Sequence, residues 1–202
     1  MDEEEDLGGA FARARDGDQY AFATLWRSLQ PSVLRYLRVV VGDAAHDMAS
    51  ETWLQAARDI RGFRGDADGF RVWLFRVARN RARNELRRAG RGPAEPLRHE
   101  DLPAAADAAQ EALDRLDTDW ALTVIATLPK DQAEVVMLRF VAGLDVAQTA
   151  AVLGKRPGAV RIATMRGLRR LGDHVEVRAR RRADAHTGRW SVGSESPRPE
   201  GV

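Results

Sequence analysis

Residues Leu144 to Leu171 read LDVAQTAAVLGKRPGAVRIATMRGLRRL and have the proportions of a helix-turn-helix. The capping box from Asp145 to Gln148 predicts a helix of about two turns that ends at Gly154. Pro157 suits the first turn of a longer second helix. The expected outer face of that helix mixes arginine with short apolar side chains, which fits phosphates and base edges in a major groove: Arg156, Ala159, Arg161, Ile162, Met165, Arg166 and Arg169. A helical hairpin with a solvated basic surface is the alternative.

Apolar residues recur at helical spacing on both sides of this motif, and no segment alternates long enough to predict a strand. The sequence therefore predicts an all-α protein. Upstream, one helix starts at an Asp18 cap, and Pro31 separates it from a second helix that ends at Gly42. A third helix is capped by Asp43 and runs to about Ile60. A fourth helix carries Phe70 to Leu86. Downstream, one helix lies between Trp120 and Leu128, another starts at a capping box, Asp131 to Glu134, and ends at Gly143, and Val160, Thr164, Leu168 and Leu171 line one side of the last.

Charge is strongly segregated along the 202 residues, although the net charge is only +2. Residues 61–91 carry +7, residues 92–119 carry −6, and residues 154–182 carry +8. The basic charge is almost wholly arginine, which suits bidentate contacts to phosphate and guanine. The acidic stretch is rich in alanine and proline, so we expect two small helical domains joined by a flexible acidic linker. Solvated helix faces are the alternative explanation of the basic blocks.

The composition excludes several classes of function. The chain has no cysteine, which rules out disulfides, cysteine-ligated metal and thiol nucleophiles. No stretch approaches the roughly 20 apolar residues of a membrane span, and the acidic N-terminus is unlike a signal peptide, so we expect a cytoplasmic protein without membrane insertion.

The loop and helix of the first basic block combine aromatic residues with arginines, as elements that hold unstacked bases do. Phe70 and Trp73 fall on the apolar stripe of the fourth helix and are expected to be mostly core, so the loop from Ile60 to Asp68 is the better candidate for handling bases. The polar face of the helix is expected to carry Arg76, Arg79, Asn80, Arg83 and Arg87.

Asp43, Asp47 and Glu51 are spaced four apart on the third helix, beside His46. This spacing makes a strip rather than converging carboxylates, so no metal, cofactor or catalytic residue is expected. The strip is either a docking surface for a basic partner or a solvated face.

Three motifs in order resemble the extracytoplasmic-function (ECF) sigma factors of bacterial RNA polymerase, a subfamily of the sigma-70 family. Residues 47–54, DMASETWL, are similar to the family's core-binding motif, and Phe63 to Asn80 resembles its promoter-melting region. Leu128-Pro129, residues 158–161 and residues 166–171 resemble its second DNA-binding domain. The resemblance covers Ala10 to Leu171.

The resemblance implies a promoter-specificity subunit with no catalysis of its own. Its implied partners are core RNA polymerase, through the largest-subunit coiled coil and the flap, promoter DNA and an anti-sigma protein. The implied organisation is an acidic tail at 1–9, region 2 at 10–91, the acidic linker at 92–118, region 4 at 119–173 and a C-terminal tail at 174–202, in which the basic run of residues 178–182 could prolong the last helix.

Site residues follow from the same resemblance, position by position. Core polymerase would contact Asp43, Asp47, Met48, Glu51 and Leu54. The minus-10 element would contact Arg61, Phe63, Arg64, Asp66, Arg76, Arg79, Asn80, Arg83 and Arg87. The minus-35 element would contact Arg156, Pro157, Ala159, Arg161, Ile162, Met165, Arg166 and Arg169.

Two positions depart from the family pattern, and two other functions stay open. Ser50 stands where glutamine is common, and Gly167 replaces a common alanine, at a cost of about 0.5 to 1 kcal/mol unless close packing or DNA approach needs it. The alternatives are a stand-alone helix-turn-helix regulator, which would dimerise on a palindrome, and a helical interaction protein that binds no nucleic acid.

Overall fold

The computed structural model describes residues 2–90 and 118–186, with side chains described for 7–90 and 118–180. Within these ranges the chain forms helices joined by turns, which confirms the all-α prediction. The acidic linker, apart from residue 118, and the last sixteen residues lie outside them. The helices are α1 (Asp2–Arg15), α2 (Gln19–Val41), α3 (Ala45–Asp59), α4 (Ala67–Arg88), α5 (118–126), α6 (Lys130–Val136), α7 (Val146–Leu153), α8 (Pro157–Asp173) and α9 (Val175–His186).

Helix α1 was not predicted, because residues 1–9 were expected to be a tail. Its buried residues are Leu7, Ala10, Phe11 and Ala14, which follow the i, i+3, i+4, i+7 pattern of one helix face. This face packs against α2. The acidic N-terminus is therefore the start of a core helix.

The prediction that Pro31 separates two helices was wrong, because α2 runs through it to Val41. Proline removes one backbone hydrogen bond, but residues on both sides of it bury the same face of the helix. Leu25 and Leu29 precede Pro31, and Val33 and Leu37 follow it, all nearly inaccessible to solvent. Tertiary packing of this continuous stripe outweighs the local preference to break.

The starts of α2 and α4 follow the capping rules, whereas that of α3 does not. Asp18 caps α2 through the amides of Tyr20 and Ala21, at 2.8 and 3.1 Å, as predicted. Gly42 ends α2 with a positive φ of 60°. Asp43 lies in a short 3-10 turn, Gly42–Ala44, and does not cap α3, whose N-cap is Ala44 and has no side-chain hydrogen bond.

The two capping boxes of the second half have different outcomes. The one at Asp145 is confirmed: its carboxylate accepts from the Gln148 amide at 2.7 Å, and the Gln148 side chain accepts from the Asp145 amide at 2.9 Å. The one at Asp131 was wrong. Helix α6 begins at Lys130, two residues earlier than a cap at Asp131 would place it, and the Pro129 carbonyl accepts its first hydrogen bonds. The helix continues as a π-helical stretch, Met137–Val141, and the chain turns at Gly143.

Helices α7 and α8 form the predicted helix-turn-helix. Gly154 ends α7 in the left-handed conformation, and Pro157 lies in the first turn of α8. Val160 is fully buried, but Leu168, which was predicted to line the same side of the helix, is 44% exposed. Gly167 is buried instead: a Cβ there would lie 3.0 Å from Val136 Cγ2 on α6. The glycine therefore permits the close approach of α8 to α6.

Helix α8 ends at Asp173, and α9 is a separate helix rather than its prolongation. His174 between them has an extended backbone, with ψ of 135°. The Arg180 guanidinium lies 4.7 Å from the centre of the Trp120 ring, and the Trp120 indole donates to Glu176 at 3.2 Å. These contacts hold α9 against α5.

The two halves of the chain share one hydrophobic core. Buried residues of α2 and α4 belong to the same cluster as Met137, Leu138 and Val152. Helix α4 packs against α7, and α2 packs against α6 and the π-helical stretch. The linker that joins the halves is therefore not their sole connection. Among the described helices, none has the length and apolarity to cross a membrane.

Candidate functional site

Helix α8 presents a continuous basic face to solvent. All eight residues predicted for the minus-35 contact are exposed. The apolar members are unusually open for their size, since Met165 is 64% and Ile162 49% exposed. Because Val160 and Gly167 anchor the opposite side of the helix, this face is rigidly positioned and chemically suited to a DNA groove.

Helix α4 exposes most of its predicted polar row but not all of it. Arg76, Asn80, Arg83 and Arg87 are exposed, as are Arg61 and Arg64 before the helix. The Arg79 side chain is only 11% exposed, because residues of the second half cover it. The structure therefore brings the row together while covering one of its members.

The loop before α4 is braced by aromatic packing. The Phe63 ring lies 5.9 Å from Phe11, 5.5 Å from Phe70 and 5.8 Å from Trp73. Asp66, predicted as a DNA contact, caps α4 by accepting from the Gly69 amide at 2.7 Å. Both residues thus have structural contacts that set the conformation of the loop, and Arg64 projects from it as an exposed residue.

Helix α3 exposes part of the predicted polymerase-binding strip. Asp47 is exposed and Leu54 is 56% exposed, while Met48 is buried. Glu51 is engaged by α4, since its carboxylate accepts from the Arg81 guanidinium at 2.5 Å. Arg81 also donates to Gln55 at 3.0 Å. Only part of the strip is therefore available to a partner in this conformation.

Three polar residues from the two halves meet at their shared boundary: Tyr36 on α2, Arg79 on α4 and Glu134 on α6. Arg79 Nε lies 3.0 Å from Glu134 Oε1, and its Nη2 lies 3.4 Å from Oε2. The Tyr36 hydroxyl donates to the same Oε1 at 3.0 Å. Burial and the Glu134 charge raise the pKa of Tyr36 well above 10.0, so its hydroxyl keeps the proton it donates.

Sequence reasoning missed this cluster and Arg81. Glu134 was interpreted as part of a capping box, and Tyr36 falls on the buried face of α2. The contacts with Glu134 span 98 and 55 residues, and no local pattern reports such a separation. Within the described parts of the chain, no group of three or more histidine or acidic residues is arranged to hold a metal ion.

Comparison with known proteins places both halves in one family. The Sigma-70 region 2 family matches residues 14–92, and the Sigma-70 region 4 family matches residues 118–171. ECF RNA polymerase sigma factor SigD of Mycobacterium tuberculosis is 33% identical over 181 residues, which cover 85% of this chain and 84% of SigD. The chain belongs to the ECF sigma factors. ECF RNA polymerase sigma factor ShbA of Streptomyces griseus is 31% identical over 182 residues, 84% of this sigma factor and 95% of ShbA.

A solved structure agrees with this fold. The structure of CnrH in complex with the cytosolic domain of CnrY matches 85% of this sigma factor and 98% of the CnrH chain, with a TM-score of 0.60 and 23% identity. The region 2 match extends from the end of α1 through α4, and the region 4 match from α5 to residue 171 of α8. Most of α1 and all of α9 lie outside both matches. The cluster of Tyr36, Arg79 and Glu134 therefore joins region 2 to region 4 of the sigma factor.

Proposed function

We propose that this sigma factor binds core RNA polymerase through α3 and directs initiation by placing α8 at the minus-35 element and α4 with its preceding loop at the minus-10 element. The exposed basic face of α8, within a complete helix-turn-helix, is the observation that carries the DNA assignment. The family supports the role of polymerase subunit. We propose residues 10–91 and 119–173 as the two functional domains, without catalysis or cofactor and with a cytoplasmic place of action.

The residues of α3 divide by their contacts. We assign direct polymerase contact to Asp47 and Leu54, which are exposed and lie seven residues apart, on one face of the helix. Met48 packs in the core, and Glu51 is held by Arg81. These two are assigned to shaping the surface, and Asp43 to its edge in the turn before the helix.

The DNA contacts divide in the same way. We assign Arg156, Arg161, Arg166 and Arg169 to minus-35 phosphates and base edges, with the exposed apolar residues between them reading shape and thymine methyl groups. In region 2, the exposed row of α4 follows the backbone of the opened strand. Phe63 and Asp66 hold the loop that presents Arg64.

The polymerase assignment is tested by direct binding of the purified chain to core enzyme. Asp47→Arg combined with Leu54→Arg places two cations on the proposed face and is expected to abolish binding. The matched control for the charge reversal is Asp59→Arg, which makes the same charge change as Asp47→Arg on an exposed residue of α3 about 120° around the helix axis. This control is expected to bind as the wild type does.

The same assay separates the alternatives. A well-folded wild-type chain that does not bind core enzyme would contradict the proposal and favour a stand-alone regulator. If Asp59→Arg lost binding to core enzyme to the same extent, the charge of the chain, rather than the face of α3 that carries Asp47, would control binding. An anti-sigma partner is also proposed from the family, and its binding is expected to exclude core enzyme from the chain.

A further inference from the structure

We propose that α1 holds the loop before α4, residues 63–66, in the conformation that binds an unpaired base, with Phe11 as the positioning residue. Phe11 is 3% exposed, so it acts on DNA only through the residues that it contacts. It lies before the region 2 match, which begins at residue 14. This inference rests on the proposed function and adds a supporting element to the minus-10 site.

The Phe11 ring contacts both ends of the loop. Its centre lies 5.9 Å from that of Phe63, where the loop begins, and the two rings meet edge to face at 88°. It lies 5.3 Å from that of Phe70, near the start of α4. Phe63 and Phe70 are themselves 5.5 Å apart, so the three rings pack together at the base of the loop. Contacts of this kind add to the burial of the rings and fix both ends of the loop relative to α1.

The backbone of the loop lies directly on the Phe63 ring. A Cβ at Gly65 would lie 3.0 Å from Phe63 Cε1, and the φ of Gly65 is 150°, which favours glycine. The chain therefore folds back over this ring immediately after Arg64. A shift of the Phe63 ring moves the backbone that carries the exposed arginine, so a change at Phe11 reaches Arg64 through that ring.

The turn after α1 contacts the chain on the other side of Phe63. A Cβ at Gly17 would lie 3.0 Å from Arg61 Nη2, so the guanidinium rests against the turn. The turn is braced in its own right, because Arg13 of α1 forms an ion pair with Asp18 at 3.6 Å. Helix α1 and its turn therefore contact both Arg61 and Phe63, immediately before Arg64.

The order of the loop affects how tightly it binds a base. When only a fraction of the chains has the binding conformation, the apparent affinity falls by that fraction. Rings that are packed in the core keep the two ends of the loop in place before DNA arrives. Binding then does not have to supply the free energy that orders the loop.

The mobility of the loop is tested in the full-length chain, which has no cysteine. Gly62→Cys carries a spin label beside the loop, at an exposed position with nothing within 4 Å of its Cβ. Phe11→Leu keeps an apolar side chain in the core and removes the ring. Phe75→Leu is the matched control, because Phe75 is a buried phenylalanine whose ring lies 5.8 Å from Tyr36 of α2, outside the ring cluster at the loop.

We expect Phe11→Leu to increase the mobility of the label and Phe75→Leu to leave it unchanged. Binding is then measured without the label, between holoenzyme and a single-stranded minus-10 oligonucleotide from a promoter mapped by its transcript 5′ end. Phe11→Leu should weaken this binding by about tenfold, as expected when roughly one chain in ten has an ordered loop. Phe75→Leu should bind the oligonucleotide as the wild type does, and both variants should bind core enzyme normally.

A second variant tests the same contact from the loop, where a substitution disturbs the core less. Phe63 is half-buried, and Phe63→Leu should also increase the mobility of the label. Adding Phe11→Leu to it should not increase the mobility further, because Phe11 acts through the Phe63 ring. Circular dichroism confirms that each variant is folded.

Three results would overturn the inference: a label that stays as immobile in Phe11→Leu as in the wild type, a mobile loop with unchanged affinity for the oligonucleotide, or equal losses of affinity in Phe11→Leu and Phe75→Leu. The last result would mean that the ring acts only through the stability of region 2. A wild-type holoenzyme that does not bind the oligonucleotide would instead reject the proposed function. The mobility of the label does not depend on DNA, so the two failures are distinguishable.

Discussion

Replacing Gly167 by alanine is expected to destabilise region 4, although alanine is the better helix former. In an open helix position the change gains about 0.5 to 1 kcal/mol. Here the added methyl would lie 3.0 Å from Val136 Cγ2 and 3.5 Å from Gln132 Cβ. Val136 is only 2% exposed, and a β-branched side chain in a helix has one strongly preferred rotamer, so it cannot turn away freely. Overpacking of this kind costs about 1 to 3 kcal/mol, which exceeds the gain in helix propensity.

Gly172 on the same helix is the matched control, because nothing lies within 4 Å of its Cβ position. Gly172→Ala should stabilise the chain, so the two variants should differ by about 2 kcal/mol in opposite directions from the wild type. Urea unfolding followed by circular dichroism measures both. A Gly167→Ala chain as stable as Gly172→Ala would show that α8 does not pack on α6 as described.

Three further predictions address capping, ionisation and DNA contact. Asp145→Ala should lower the free energy of unfolding by about 1 kcal/mol because it removes the capping box of α7. Asp131→Ala should lower it by less, since Asp131 forms an exposed ion pair and does not cap a helix. Thermal unfolding of both variants checks this prediction. Because the pKa of Tyr36 is raised on folding, its contribution to stability is present below pH 10.0 and is lost as pH rises towards the raised value. Tyr36→Phe should reduce the loss of stability at alkaline pH, measured as the free energy of unfolding from pH 8 to 11. An identical loss of stability in both chains would contradict this prediction. Arg161→Ala should reduce the slope of log affinity against log salt for holoenzyme on promoter DNA by about 0.9, and an unchanged slope would remove Arg161 from the phosphate contacts.

Local signals in the sequence predicted a large share of the fold. Asp18, Gly154 and Pro157 act through backbone geometry and hydrogen bonds to near neighbours, so their roles can be predicted without tertiary information. The helix-turn-helix and the exposed face of α8 follow from such signals.

Predictions failed where distant packing decides the outcome. Pro31 is held inside α2 by the buried stripe on both sides of it. The acidic residues at the start of the chain led to the prediction of a tail, although the apolar residues that follow form one buried face of α1. On α8, Gly167 rather than Leu168 is the buried residue, because α6 requires close approach at that position. These failures share a cause, since each depends on a partner helix that no local pattern names.

The candidate site shows the same division. Sequence reasoning placed Arg79 on a solvated row, whereas the structure pairs it with Glu134, a residue 55 positions away. Glu51 was likewise placed on an open strip but is engaged by Arg81. When the sequence neighbours of a charged residue carry the same charge, the sequence does not indicate which oppositely charged residue the fold places beside it.

Transcription in vitro tests the central claim most directly. Core RNA polymerase is supplied with fragments of the source genome, with and without the purified chain, and the 5′ ends of the transcripts are sequenced. The account predicts new start sites that require the chain, share two upstream elements at a fixed spacing and disappear when Arg161→Glu and Arg166→Glu are combined. Identical start sites with and without a well-folded chain would contradict it.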